Sequence, residues 1–261
     1  MCLRNVTIPG MNIEMTYVGI TATLAVILVA LELFAPARTY LKSEKTNSYI
    51  TNLLIFGSNN VVTFALQISA VFTVVMLWSP SSSFFESFPL WVQGAIGVLL
   101  LDFLIWVWHM LNHRLPFLWV FHKCHHSETY LNASSALRFH IGELLLSVVW
   151  KSTVLILLGI PLWVFALSEF LLTLFALFHH ANIQLSPRVR TYVEMVIITP
   201  YLHRVHHSDI RSEHDSNYGV IFTFWDRAFQ TLQKVTPDRI GLQGVQEKSF
   251  LSFLIFPFKK R

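Results

Sequence analysis

HKCHH at residues 122–126 puts three imidazoles into five positions, and HRVHH at 203–207 repeats the spacing. HMLNH at 109–113 adds two more, four residues apart. All twelve histidines of the chain fall between His109 and His214. On a helix, side chains three and four apart share a face, so each cluster can aim two or three ring nitrogens at one point. Neutral imidazole is the commonest metal ligand among side chains. The three clusters supply more donors than one ion accepts, so two metals are expected. All-nitrogen ligation suits iron, zinc or copper better than magnesium or calcium. A closed structural zinc site usually includes cysteine. Of the two cysteines, only Cys124 lies in a histidine cluster, and it reads as a small filler on the face away from the metal. Zinc hydrolases normally carry H-E-x-x-H, which this sequence lacks. The chemistry left is dioxygen activation by a pair of iron ions, with zinc able to replace them in purified protein.

Those clusters need a scaffold, and the composition says which kind. The chain is 54% hydrophobic and 13% charged, against about 25% charged in a soluble domain. Its mean hydropathy is +0.53. The fold expected is all-α: about four membrane spans or hairpin pairs, with a cytosolic, helical, histidine-rich di-metal cap. Residues 17–35 read as a first span, since crossing takes about 20 apolar residues. Glu32, near its end, is expected to reach the interface. A second apolar stretch covers 51–78, where Asn59 and Asn60 are expected to face protein. A turn at 79–89 and a third span at 90–110 follow. Residues 144–180 read as two helices joined near Pro161, because proline breaks a helix interior. Taking the loop at 36–45 as cytoplasmic puts Arg4 outside and Lys151 in the hairpin, with the remaining positive residues inside, as the positive-inside rule requires. Every histidine cluster then lies at the cytoplasmic boundary of a multi-pass protein. No cleavable signal peptide is expected. The segment FLSFLIFPFKKR is too short to span and reads either as an interfacial segment or as a packed tail. Three regions result: N-terminal spans at 1–90, a catalytic region at 91–235 and a tail at 236–261. The net charge of +4 comes with no aromatic-basic motif, so nucleic acid is not an expected partner.

The order of these motifs resembles the fatty acid hydroxylase / sterol desaturase superfamily of integral-membrane di-iron oxygenases. The residues carrying the resemblance are Asp102, His109 with His113, the 122–126 cluster and Phe139-His140. His180-Ala181-Asn182, the 203–207 cluster, Asn217-Tyr218-Gly219 and WDRAF at 225–229 complete it. It covers about 95–235. Three positions depart from the usual pattern: Met110 stands for arginine, Trp106 for tyrosine and Gln230 for glycine. Spacing and resemblance together imply a ligand set of His109, His113, His122, His125, His126, His180, His203, His206 and His207. His179 is the alternative to His180. His140 is either a ligand or a hydrogen-bond partner of one, and His214 is expected outside the site. Asp102 lies seven residues, almost two turns, before His109 and so shares its face. A carboxylate at membrane depth is functional by default, and Asp102 is expected to accept the N–H of a ligand histidine. Glu143 has the same expected role. Asn182 and Asn217 are further candidates for supporting catalysis. Lys151 and Glu169 either pair or mark the route to the site.

The resulting expectation is hydroxylation or desaturation of a lipid, such as a fatty acyl chain or sterol, with O₂. The sequence has no haem-attachment motif and no G-x-G-x-x-G, so a separate reductase or ferredoxin-like donor must bring electrons. The competing class is not enzymatic: a membrane metal transporter or a haem electron carrier. A transporter would spread its ligands at mid-membrane, and a haem carrier needs only a few widely spaced histidines.

Overall fold

A computed structural model describes residues 13–77, 84–245 and 249–259. Among these, helices are joined by loops and three isolated β-bridges, with no strand. Helix α1 spans Ile13–Phe34 and α2 spans Lys42–Leu77. Helix α3 covers Leu90–Arg114, and α4 covers Pro116–His126. The hairpin is α5, Ile141–Leu158, and α6, Leu162–His180. Short helices follow: α7 at Pro187–Val193, α8 at Pro200–His206, α9 at Arg211–His214, α10 at Phe224–Ala228 and α11 at Phe250–Ile255. Four helical segments have the length and apolarity to cross a membrane: Thr16–Phe34, Leu90–Arg114, Ile141–Leu158 and Leu162–His180.

Local sequence sets the breaks. Leu115 is extended and precedes Pro116, which starts α4 at a first-turn position where no N–H is needed. This separates HMLNH on α3 from HKCHH on α4 and lets the two turn toward each other. Helix α5 ends on Gly159, whose φ of 60° is left-handed, a backbone state glycine adopts without strain. Pro161 then caps the start of α6. The hairpin at 144–180 is therefore two helices, as its Gly-Ile-Pro suggests. Helix α8 is capped by Thr199, which accepts from the Leu202 N–H, with Pro200 in the first turn.

Helix α3 packs on α6, and α1 packs on α6. The α3–α6 approach needs Gly97: a Cβ there would lie 2.1 Å from the Val164 side chain. Helix α2 packs on α5 and on the 3-10 turn Ala133–Leu137. Large apolar side chains point outward along α1, α2 and α5, among them Val26, Leu33, Val61, Phe64 and Leu157, which suits a lipid-facing surface.

Several expectations change. Glu32 is buried in protein rather than exposed at the end of its span. It is 1% exposed, and its carboxylate accepts from the Tyr49 hydroxyl and, at 2.7 Å each, from the Ala133 and Asn182 backbone N–H groups. Burial is possible because three donors replace its water. The 36–45 loop is shorter than expected, since Glu44 accepts from the Leu41 N–H and α2 has begun by Lys42. Asn59 faces protein and donates to the Phe139 carbonyl at 2.7 Å, whereas Asn60 is exposed and bonds back to Phe56. The turn at 79–89 lies outside the described residues up to 83, and a 3-10 turn covers Phe84–Ser87. Arg4 also lies outside them. In the tail, Phe253 and Phe256 are buried with Ile55, Cys124 and Leu242, while Leu251 and Phe258 are exposed. Cys124 is thus core filler, turned away from the imidazoles of its own cluster.

Candidate metal centre

The histidine motifs meet at one end of the spanning helices. Helix α3 delivers His109 and His113 in its last turns, α4 delivers His122, His125 and His126, α6 ends on His179 and His180, and α8 carries His203 and His206 with His207 at its C-cap. The ring nitrogens sort into two groups. His109, His113, His122, His126 and His206 place one nitrogen each within 4.8 Å of the others, and so do His125, His180, His203 and His207. Each H-x-x-H-H motif is split between the groups. From α4, His122 and His126 go to the five-histidine group and His125 to the other. From α8, His203 and His207 go to the four-histidine group and His206 to the other.

The rings are held by their far nitrogens. Nδ1–H donates to backbone carbonyls in His109 (Tyr218, 2.8 Å), His125 (Arg138, 3.2 Å), His180 (Ala176, 2.8 Å) and His206 (Ser216, 2.7 Å). A carbonyl only accepts, so the proton sits on Nδ1 and Nε2 presents a lone pair. His122 Nδ1 lies 2.8 Å from the Glu143 carboxylate, and His113 Nδ1 lies 3.2 Å from Asp215. Burial, with the neighbouring imidazoles, holds His125, His126, His203, His206 and His207 well below the usual histidine pKa. They are neutral at physiological pH, the form that binds metal.

These donors fit metal ions. The Nε2 atoms of His113, His122 and His206, and both nitrogens of His126, are buried without a hydrogen-bond partner, which is costly unless something else satisfies them. In the four-histidine group, His125 Nε2 and His180 Nε2 face each other at 3.1 Å. Both protons are committed to Nδ1, so two lone pairs oppose each other and a cation between them removes the repulsion. His203 Nε2 lies 3.0 Å from His180 Nε2 and 3.1 Å from His207 Nε2. Ligands at right angles on a metal with nitrogen bonds of about 2.1 Å stand about 3.0 Å apart, the spacing seen here.

Both groups border a cavity of about 180 Å³ that His109, His122, His125, His180 and His203 help to line. A larger one, about 500 Å³, lies between α2, α5 and α6. The two share Phe139, Leu144, Ser147 and Lys151 as walls, so they adjoin. Lys151 Nζ pairs with Glu169 at 2.7 Å at that junction.

Residues 94–231 match the family model described as fatty acid hydroxylase. The chain belongs to that family. It is 28% identical over 253 residues to the ornithine lipid hydroxylase OlsE of Rhizobium tropici, covering 92% of this chain and 74% of the relative. It is 29% identical over 224 residues to the alkylglycerol monooxygenase of Danio rerio, covering 82% of this chain and 48% of the relative. A cholesterol 25-hydroxylase-like protein of Danio rerio is 32% identical over 150 residues, 53% of this chain and 54% of the relative. No solved structure matches the chain.

Within this fatty acid hydroxylase fold, some expected supporting residues have other partners. Asp102 does not meet a histidine. It accepts from the Ile221 and Phe222 backbone N–H groups and from Trp225 Nε1, at 2.8–3.3 Å. Its face is shared with His109, as the spacing predicts, but the segment after Tyr218 comes between. Asp226, missed from the sequence, does parallel work: it accepts from Trp106 Nε1 and from the Tyr218 and Gly219 N–H groups. Together they fix the strand of backbone whose Tyr218 carbonyl holds His109. The WDRAF motif contained Asp226, so the signal was present. Asn182 exchanges two hydrogen bonds with the Arg38 backbone, and Asn217 bridges Leu202 and Gln233; neither touches a histidine. Asn217 has φ 50°, a conformation asparagine tolerates better than most side chains. His140 lies apart from both groups: its Nδ1 accepts from the Gly142 N–H at the start of α5, and its Nε2 donates to the Leu254 carbonyl. His179 donates to the Val220 carbonyl and lies against His203, with ring centroids 3.9 Å apart. His214 donates to Ser208 and stacks on Trp119. Asp215, also missed, sits beside His113, and nothing in the spacing before it marks it.

Proposed function

We propose that this protein is a multi-pass membrane hydroxylase that inserts one oxygen atom of O₂ into a C–H bond of a lipid, using two iron ions held by the nine grouped histidines. The observation that carries the reading is the gathering of nine imidazoles, eight buried and His109 half-buried, into two groups beside a cavity that five of them line and that adjoins a largely apolar chamber between α2, α5 and α6. The named relatives support it: they are hydroxylases and monooxygenases of ornithine lipid, alkylglycerol and a sterol. Their head groups differ, and a substrate with a long apolar part is common to them.

Iron bound at the two groups would supply oxygen activation. The chain's residues do the rest. The Nδ1–H bonds to carbonyls keep Nε2 of His109, His125, His180 and His206 aimed inward without ordering cost at turnover. Glu143 takes the His122 N–H and raises that ring's basicity. Phe139, Leu144 and Val220 line the inner cavity, exclude water and hold an apolar segment against the site. Lys151 and Glu169 give the path a polar point about eight residues along α5 from Glu143, or about 12 Å. The overall change is R–H, O₂, two electrons and two protons to R–OH and water. A separate reductase or ferredoxin-like protein supplies the electrons. We place the histidine end in the cytoplasm, because Arg38, Lys42, Arg188, Arg190, Lys234 and Arg239 flank the helix ends on that side. The grouping of ligands at one end of the helices favours this reading over transport, which needs sites along a path.

The test is lipid mass spectrometry of membranes incubated under ¹⁸O₂ with a reducing system, for wild type and His203→Ala. A lipid that gains one labelled oxygen in wild type alone is expected. Iron near two per chain with no lipid labelled under any donor would overturn the activity. Labelling at full rate with no bound iron would overturn the cofactor.

A further inference from the structure

On the outer side of α8, away from the histidine cavity, lies a pocket of about 220 Å³. None of its walls lines either cavity of the route to the metal site. Three guanidinium side chains reach it: Arg38, Arg190 and Arg204, with Gln184, Thr199 and Tyr201. We propose that it binds a phosphate anion, the phosphoryl group of a membrane lipid in the adjoining leaflet.

The case rests first on Arg204. It is 9% exposed, and among the described residues its side chain has one hydrogen bond, to Asn182 Oδ1 at 3.5 Å, the weak limit for such a bond. Among the described residues no carboxylate lies within ion-pair distance of Arg204 or Arg38. Arg38, half-buried, donates to the Pro237 and Asp238 carbonyls, which do not neutralise its charge. Arg38 and Arg204 both line this pocket, so two like charges share it. A buried guanidinium facing another, with no counter-charge, is expensive, because buried charges are normally paired. Arg190 at the rim has a partner in Glu194 at 3.8 Å and lies over the Tyr201 ring. Glu194 itself is drawn off by Thr199 and Lys234. Arginine's planar fork is suited to phosphate oxygens.

Position names the source. The pocket is built where the chain leaves two spanning helices: Arg38 follows the end of α1 at Phe34, and Gln184 follows the end of α6 at His180. Pro36 and Ile183 are bridged there. That level is the head-group layer. A concave pocket of this size takes one phosphoryl group and a few attached atoms, whereas an acidic protein surface would meet a flat face. The bound lipid is not the one oxidised, because no histidine lines this pocket and it shares no wall with the cavities beside them. Its contact is with the chain that carries them: Arg204 follows the ligand His203, and Asn182 follows His180 by two residues. A lipid phosphate here would tie the four-histidine group to its membrane. This inference stands whether or not the hydroxylase reading holds.

The test uses the full protein with its metal, in an uncharged detergent, followed by thermal unfolding with three probes: short-chain phosphatidate, diacylglycerol of the same chains, and inorganic phosphate. Saturable stabilisation by phosphatidate and none by diacylglycerol is expected in wild type. The shift should be lost in Arg204→Gln and in Arg38→Gln, and reduced in Arg190→Gln, whose half-exposed side chain at the rim can be changed if Arg204→Gln does not fold. Equal shifts from phosphatidate and inorganic phosphate assign the site to the free anion and overturn the lipid as its source. Equal shifts from phosphatidate and diacylglycerol, or a phosphatidate shift retained in the arginine variants, overturn the pocket. No shift from any probe in wild type also overturns it and leaves the charge to a protein partner.

Discussion

The two histidine groups look alike in sequence and differ in their supports. In the five-histidine group two rings are backed by carboxylates, His122 by Glu143 and His113 by Asp215. In the four-histidine group no ring has one: His125 and His180 lean on backbone carbonyls, and Nδ1 of His203 and of His207 has no partner. A carboxylate behind an imidazole makes it a stronger donor and fixes its tautomer. On the proposed metal reading, the first group would hold its ion with five donors, two of them backed by charge, and the second with four donors backed by no charge, three of them on the cavity. Fewer donors would leave more room there for an exogenous group.

The sharpest way to break that comparison is to remove one ligand from each group. His206→Ala should lower metal content from about two to about one, with loss at the five-histidine centre, and His207→Ala should do the same at the other. Both should abolish turnover while the protein still inserts. Metal analysis with optical or Mössbauer spectra of the remaining iron distinguishes the survivors. Identical residual spectra would mean that the groups act as one centre.

A carboxylate change should discriminate next. Glu143→Gln keeps the shape and can still accept from His122, but loses the charge. Metal affinity or activity is expected to fall ~10–100-fold, at the five-histidine centre alone. Competition with a chelator checks it, and an equal loss at both centres would remove the asymmetry between them.

Asp102 acts on the five-histidine group at a distance, since the segment it holds supplies the Tyr218 carbonyl to His109; the same segment supplies the Val220 carbonyl to His179, which belongs to neither group but lies against His203. Asp102→Asn sets an amide N–H₂ against donors that expect an oxygen. Each buried donor left unsatisfied costs about 1–3 kcal/mol, so lower thermal stability is expected, with metal content largely kept in the protein that folds. Unchanged melting together with a specific loss of one metal would return Asp102 to a direct role beside a ligand.

The smallest effect is expected farthest away. Lys151→Met leaves both groups intact and removes one charge from the path. Metal content and spectra should match wild type, while KM for the lipid changes by a few-fold and kcat follows less. A change in metal spectra on this substitution would place Lys151 in the site rather than on the route.

Composition pointed to a membrane-embedded chain, because 13% charged residues is about half of what a soluble domain carries. Pro116, Gly159 and Pro161 fixed where helices must break, since backbone constraints act locally. The i, i+3 and i, i+4 spacing of the histidines marked which residues gather. Spacing could not partition them, because on a helix both intervals lie on one face. The angle at which α4 and α8 meet α3 and α6 decided that His125 parts from His122 and His126, and that His206 parts from His203 and His207. The same limit explains Asp102. Its register with His109 was legible, but the loop of 217–226 that folds between them comes from more than a hundred residues away. Gln230 makes the point in reverse: it takes φ 58°, a left-handed state that favours glycine, at the position where the resembling family carries one. The residue type was readable from the sequence, and the reason for it only from the backbone.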